Sequence, residues 1–445
     1  MTSGTSIGMT RSRRLAVLSL CIAGVAALTG VSAALLTILF LAVEKLSFGT
    51  DESSTPIPTD ATSPGRILTV YIASGVIGSM LWWGLQRWGR PQPSVPQSLN
   101  GQPSVIPETS ANVALQVAQV GTGASVGREN APRVAGALWA DRVAAWARMT
   151  PELRRLLIAS AAGAGLAAAY HVPLAGIAFA IELCGVSIRL HKIIVVSATC
   201  VIATVISALI EPTGLQYSAP RVTCSWTTLL FAILVGVIIG PLGSAFRHLA
   251  RWCQHWATHD ARVLYRMPVG FALVGVAAMS LPALAGNGKY AAVSAFDASI
   301  GWKALALLCA LNILVTLISL ASGAFGGILT PSFSIGVMVG ALAGVALAGV
   351  MGAVGNTGST PDVLTENVHG TPILACAVLG GAAFLATAQR APLFALLITV
   401  EFTGQGLSSI PAIAVAVIVA SLPLIYPTLS KKCRGAGTFS FLTRQ

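Results

Sequence analysis

Long apolar runs recur along the chain at 15–43, 67–86, 192–210, 222–246, 302–322 and 332–350, each near the ~20 residues that span a hydrocarbon core. Between them lie shorter runs, at 156–169, 173–186, 372–388 and 391–402, interrupted by Gly, Pro or a lone charge. In lipid, backbone freed by such breaks is tolerated only where protein or a watery cavity covers it. The pattern predicts an all-α integral membrane protein with many tilted and broken helices, and broken helices point to a transport pathway. The run at 15–43 exceeds the ~7–15 apolar residues of a signal peptide, so it is expected to be retained as a span.

The apolar pattern also repeats. LAAAYHVPLAGIAFAIEL (166–183) and LATAQRAPLFALLITVEF (385–402) pair Leu166 with Leu385, Ala169 with Ala388, Pro173 with Pro392, Leu174 with Leu393 and Glu182 with Glu401 at one constant offset. Earlier in each half, GASVGRENAP (123–132) and GAFGGILTP (323–331) agree in Gly, Ala, Gly and Pro, the first with one additional residue before its proline. Two blocks in the same order predict two related halves, about 15–215 and 222–430, within one transmembrane domain over 15–430. Tails at 1–14 and 431–445 flank it. Related halves with mid-span glycines characterise transporters whose site lies near the bilayer midplane.

Composition sharpens this picture. The chain is 55% hydrophobic and 9% charged, with a mean hydropathy of +0.78, which excludes a water-soluble domain. The net charge of +12 could suggest nucleic acid as a partner, but the basic residues sit in short segments between spans, as the positive-inside rule requires. Arg11, Arg13 and Arg14, then Arg87 and Arg90, a central loop from Arg247 to Arg266, and Lys431, Lys432 and Arg434 are expected to be cytoplasmic. Both termini follow, in a multi-pass protein of the cell membrane. Acidic segments at 49–64 (Asp51, Glu52, Asp60) and 351–370 (Asp362, Glu366) should face outward. Eight cysteines are scattered without CxxC spacing, so neither a metal, a disulfide framework nor a cofactor is indicated.

The repeated blocks carry the candidate chemistry. In Gly127-Arg128-Glu129-Asn130-Ala131-Pro132, Gly127 breaks one helix and Pro132 suits the first turn of the next, leaving amides without intrahelical partners. Such amides, reinforced by the helix dipole, bind an anion without a full positive charge, which would hold a halide too tightly for release. Gly327-Ile328-Leu329-Thr330-Pro331 offers a matching edge, where Thr330 can cap the helix or donate its hydroxyl to the ion. Glu129 is the single carboxylate in this cradle. Ionised, it would occupy the anion position, and protonation would release it, coupling protons to anion movement. Its bland reading is an interfacial carboxylate paired with Arg128. Glu182 and Glu401 read as helix-end carboxylates that bond backbone groups, and Arg390 as a helix-end anchor.

The GRE block, GLAAAYHVPLAGIAFAIE, SGAFGGILTP and ATAQRAPLFALLITVEFT resemble, in order and spacing, segments of the CLC chloride channels and proton-coupled antiporters. The resemblance implies a homodimer, one pore per subunit, a CLC-type inverted repeat, and Glu129 as the external gating glutamate. It departs from the family in four places. GREGP becomes GRENAP; GxFxP has Leu329 for Phe; the GSGIP serine is unmatched, with Pro93 of Gln92-Pro93-Ser94-Val95-Pro96 standing there; and Leu183 holds the place of an inner glutamate. These departures are similar to the fluoride-exporting bacterial branch, which exchanges its anion for protons, and that resemblance implies a bacterial inner membrane. A chloride channel or chloride/proton antiporter is the alternative. Tyr426 is the candidate for the family's pore tyrosine, against a lipid-interface role. Two other classes compete: an intramembrane serine protease using Ser125 of Gly123-Ala124-Ser125-Val126-Gly127 with His171, and a receptor or purely structural membrane protein, which would not need duplicated helix breaks.

Overall fold

The computed structural model describes residues 11–50, 62–212, 214–257, 260–297, 300–354 and 372–434, with side chains left out at both ends and in two further stretches. Most of the acidic segments at 49–64 and 351–370, and both tails outside 11–434, lie beyond the described residues.

Sixteen α-helices form among the described residues. In order these are α1 (Arg11–Phe48), α2 (Pro64–Trp88), α3 (Val95–Leu99), α4 (Ile106–Gly121), α5 (Asn130–Trp146), α6 (Pro151–Tyr170), α7 (Pro173–Glu182) and α8 (Leu190–Ile210). The second set is α9 (Trp226–Trp256), α10 (Val263–Ser280), α11 (Lys289–Phe296), α12 (Trp302–Ala321), α13 (Leu329–Val354), α14 (Pro372–Gln389), α15 (Pro392–Phe402) and α16 (Ile410–Arg434). Seven helices among the described residues are long and apolar enough to cross a membrane. Local sequence sets many boundaries. Pro64, Pro151, Pro173 and Pro392 open helices where a missing N–H costs nothing, while Ser63, Thr150 and Ser225 cap theirs by accepting from an amide of the first turn.

Two expectations about the centre of the chain are corrected. The apolar run at 222–246 continues as helix to Trp256, so Arg247 and Arg251 ride on α9 rather than in a loop, and Arg266 belongs to α10. A helix need not end where lipid does, and arginine is a good helix former. The span α10 escaped the reading because Arg266, Pro268 and Gly270 break up its apolar run.

The two sets pack alike: α5 lies on α6 as α13 lies on α14, and α1 contacts α6 and α8 as α9 contacts α14 and α16. Backbones approach closely at the matching interfaces. A Cβ on Gly136 would strike the Ala161 carbonyl, and one on Gly340 the Cys376 carbonyl, so glycine is what permits these helix pairs their separation. The turns between α6 and α7 and between α14 and α15 also correspond, with His171 (φ 56°) and Arg390 (φ 54°) both left-handed.

Each half also closes the other. Glu182, at the end of α7, accepts from the amides of Leu393 (3.0 Å) and Phe394 (2.8 Å) in the first turn of α15. Glu401, near the end of α15, accepts from Leu174 (3.0 Å) and Ala175 (2.7 Å) in the first turn of α7. This reciprocity means that a two-fold axis relates the halves. It also accounts for both glutamates as bonding backbone groups, each carboxylate meeting the positive end of a helix dipole. Removing the Glu401 carboxylate strands two amides, and a hydrogen bond to a charged group contributes about 1.5–3 kcal/mol. Glu401→Ala should therefore unfold well below the wild type in detergent, with Glu401→Gln between the two. Identical unfolding temperatures would show that the exchanged caps do not hold the halves together.

Candidate functional site

The two glycine-rich breaks meet in the interior. The Gly127 amide donates to the Gly327 carbonyl at 2.7 Å, and the Gly327 amide donates to the Gly127 carbonyl at 2.9 Å, a short antiparallel bridge between the halves. This corrects the expected roles of both glycines: their amides are engaged with one another and are not offered to an anion. What they supply is room. A Cβ on either would overlap the Glu129 carboxylate.

Glu129 precedes α5 and is fully buried. Its Oε1 accepts from the Leu329 amide at 2.9 Å, at the start of α13 in the opposite half. Its Oε2 receives a long hydrogen bond, 3.5 Å, from the Thr330 hydroxyl, which in turn lies 3.4 Å from the Tyr170 hydroxyl. The carboxylate from one half thus occupies the helix N-terminus of the other, where an anion is favoured. The bland alternative of an interfacial glutamate does not fit, since no part of Glu129 reaches solvent.

The remaining candidates fall around this contact in different ways. Ala131 is buried in the first turn of α5, and Ile328 is half-buried in the approach to α13. Arg128 is 5% exposed and its guanidinium packs between the rings of Phe40 (4.3 Å) and Tyr170 (5.1 Å). Asn130 turns its amide away along α4, donating to Gln116 at 2.9 Å. The Tyr426 side chain lies outside the described residues, although its backbone belongs to α16. Ser94 hydrogen-bonds Gln97 at the start of α3, so it is occupied as a local cap. Leu183 is 39% exposed at the end of α7.

Ser125 and His171 are not organised as a nucleophile and base. The Ser125 hydroxyl pairs with Thr316 on α12 at 2.9 Å, while His171 terminates α6 in its left-handed turn.

Three groups escaped the sequence reading, two of them at this site. Arg133, one turn after Glu129, places its Nη2 at 4.0 Å from Oε1 and stacks on Phe179 at 4.7 Å. Its i, i+4 spacing from Glu129 was the available signal. A full positive charge therefore stands beside the carboxylate, contrary to the expectation of a cradle built from neutral donors alone. Tyr170 carried no sequence signal, because only the fold brings it to Thr330. Glu44, 4% exposed on α1, accepts from the Tyr290 hydroxyl at 3.0 Å; a carboxyl directly after the apolar run at 15–43 was the signal.

Among known proteins, the chain matches the family described as voltage gated chloride channel over residues 75–423. It is 28% identical over 420 residues to a "Voltage-gated ClC-type chloride channel ClcB" of Salmonella dublin, covering 89% of this chain and 94% of that one. The protein of the same description from Escherichia coli O81 (strain ED1a) is 29% identical over 398 residues, covering 86% and 89%. Among solved structures, a slow cyanobacterial Cl-/H+ antiporter superposes with a TM-score of 0.72 at 23% identity, covering 94% of this chain and 99% of the other. A CLC-type fluoride/proton antiporter superposes at 0.70 with 19% identity, covering 93% and 96%. These likenesses show the fold, a CLC-type inverted repeat.

Gly327→Ala tests the geometry. The added methyl must push the carboxylate away from the Leu329 amide, at the ~1–3 kcal/mol typical of overpacking. Hydrogen exchange at Leu329 should accelerate and the unfolding temperature should fall. Unchanged protection at that amide would mean that Glu129 does not hold it.

Proposed function

Because this chain belongs to the voltage gated chloride channel family, the CLC proteins, and is an anion transporter rather than an enzyme, we propose that it exchanges a small halide for protons, with Glu129 as gate and proton carrier. The single observation that carries this reading is the buried Glu129 carboxylate on the Leu329 amide of the opposite half. A halide and a carboxylate are alternative anions for one helix N-terminus.

Ionised, Glu129 takes that amide and pairs with Arg133, closing the passage. Protonation removes the charge that both contacts favour and frees the carboxyl to leave, so the anion takes its place. Gly127 and Gly327 let the side chain come and go between two backbones that cannot separate without breaking their mutual hydrogen bonds. Leu329 and Thr330 donate to whichever anion is present. Arg128, Asn130, Ala131 and Ile328 shape the two approaches, and Arg133 balances the negative charge that alternates between carboxylate and ion.

Fluoride is the proposed cargo. The departures at GRENAP, at Pro93 and at Leu183 favour it, and a fluoride/proton antiporter is among the structures of the same fold. Chloride is the second reading, favoured by the description of the curated relatives as chloride channels. The protein is further proposed to work as a homodimer in the cell membrane with both termini in the cytoplasm.

Purified protein in liposomes should release fluoride faster than chloride while taking up protons, and an imposed pH gradient should drive the anion uphill. In Glu129→Gln, which keeps the shape but not the titration, pH-driven uphill transport should vanish. Its persistence would refute the role of Glu129, whereas faster chloride than fluoride efflux would overturn only the cargo.

A further inference from the structure

The end of α9 remote from Trp226 carries charge that the transport site does not use. Arg247 and Arg251 stand one turn apart there. The Arg247 Nη1 donates to the Ala388 carbonyl at 3.1 Å, which sets it against the turn that holds Arg390. The charges of Arg251 and Arg390 both bear on Arg247. None of the three forms an ion pair with a carboxylate among the described residues. The Arg247 Nε is buried and has no hydrogen-bond partner there.

Three like charges brought together without an acid are unfavourable unless an anion joins them. Guanidinium groups match the oxygens of a phosphate as paired donors. The two-fold relation of the halves sharpens the point. The turn equivalent to that of Arg390 holds His171, with nearly the same left-handed backbone, so the fold does not demand an arginine at such a turn.

The depth of the cluster is marked independently. Trp252 and Trp256, half-exposed on the next turns of α9, meet edge to face at 5.6 Å. With Cys253, Arg266 and Ala321 they line a cavity of about 330 Å³, and the Arg266 guanidinium donates to the Trp256 carbonyl at 2.8 Å. Indole rings gather at the headgroup level of a bilayer, and an excess of arginine marks its cytoplasmic face.

We propose that Arg247, Arg251 and Arg390 form a binding site for a phosphate group, supplied by the headgroup of an anionic phospholipid whose glycerol and upper chain lie along Trp252 and Trp256. The site is separate from the halide passage. By seating a phosphate against the start of α15, it would brace the segment that Glu182 caps.

The test uses the purified full-length protein in detergent, with thermal unfolding as the readout. Its ligands are short-chain phosphatidylglycerol, short-chain phosphatidylcholine and inorganic phosphate. Phosphatidylglycerol should raise the unfolding temperature and phosphatidylcholine should not. In Arg251→Gln/Arg390→Gln, where both changed side chains are exposed, the concentration needed should rise about fivefold for each arginine removed, the weight of one basic residue near an anionic surface. Arg247→Gln should weaken binding in the same way. If inorganic phosphate alone reproduces the full shift and the double variant abolishes it, the phosphate chemistry stands and its source is soluble. An equal response to both lipids, or unchanged affinity in the double variant, overturns the proposal. Because no ion flux is measured, failure of the transport reading leaves this result intact.

Discussion

One carboxylate on one foreign amide organises the interior: Glu129 from the first half on Leu329 from the second. A buried charge is costly unless it is paired and hydrogen-bonded, and neither half alone supplies what Glu129 needs. The amide and hydroxyl come from the start of α13, the guanidinium from α5 itself, and the space from two glycines that leave no room for a side chain. The halves must therefore be docked before the carboxylate can be dry. The Gly127–Gly327 bridge and the exchanged caps of Glu182 and Glu401 supply that docking, all three across the same two-fold relation.

The repeat also explains why glutamates so alike in sequence serve different ends. Glu182 and Glu401 are repeat partners, and each accepts two short amide bonds from a helix start. Such doubly bonded carboxylates are fixed points. Glu129 has no partner carboxylate at the matching place in the second half, where Ile328 and Leu329 stand instead. It holds one amide and one long hydroxyl contact. Fewer bonds fix it, which suits the gating role proposed for it.

Sequence reasoning reached the chemistry that lies in contiguous motifs. The breaks at Gly127 and Gly327, the helix starts after them and the carboxylate between were readable because helix termination and capping are local. The pattern of apolar runs gave six of the spans for the same reason. It failed at α10, where Pro268 and Arg266 mimic a loop, and at the end of α9, where helix outlasts the apolar run. It failed too for contacts made by the fold alone. Nothing near Thr330 announces Tyr170, and nothing near Ser125 announces Thr316. The engagement of the two glycine amides with each other was equally hidden, since register between distant segments is a tertiary property.

The charges around the site set a condition on how it can work. Arg133 stands 4.0 Å from the Glu129 carboxylate, and Arg128, buried between two rings, follows the same break. In a medium of low dielectric fixed cations beside an empty cradle would be unfavourable, so the cradle favours an anion. A carboxylate and a halide would each satisfy that condition, and the Leu329 amide, hemmed in by the two glycine backbones, has room for one of them at a time. Under the proposed exchange the two anions would exclude each other by space. In that exchange the carboxyl would surrender its position as it becomes neutral, a step that takes a proton. Coupling of anion to proton, on the proposed reading, would follow from one amide contested by two anions.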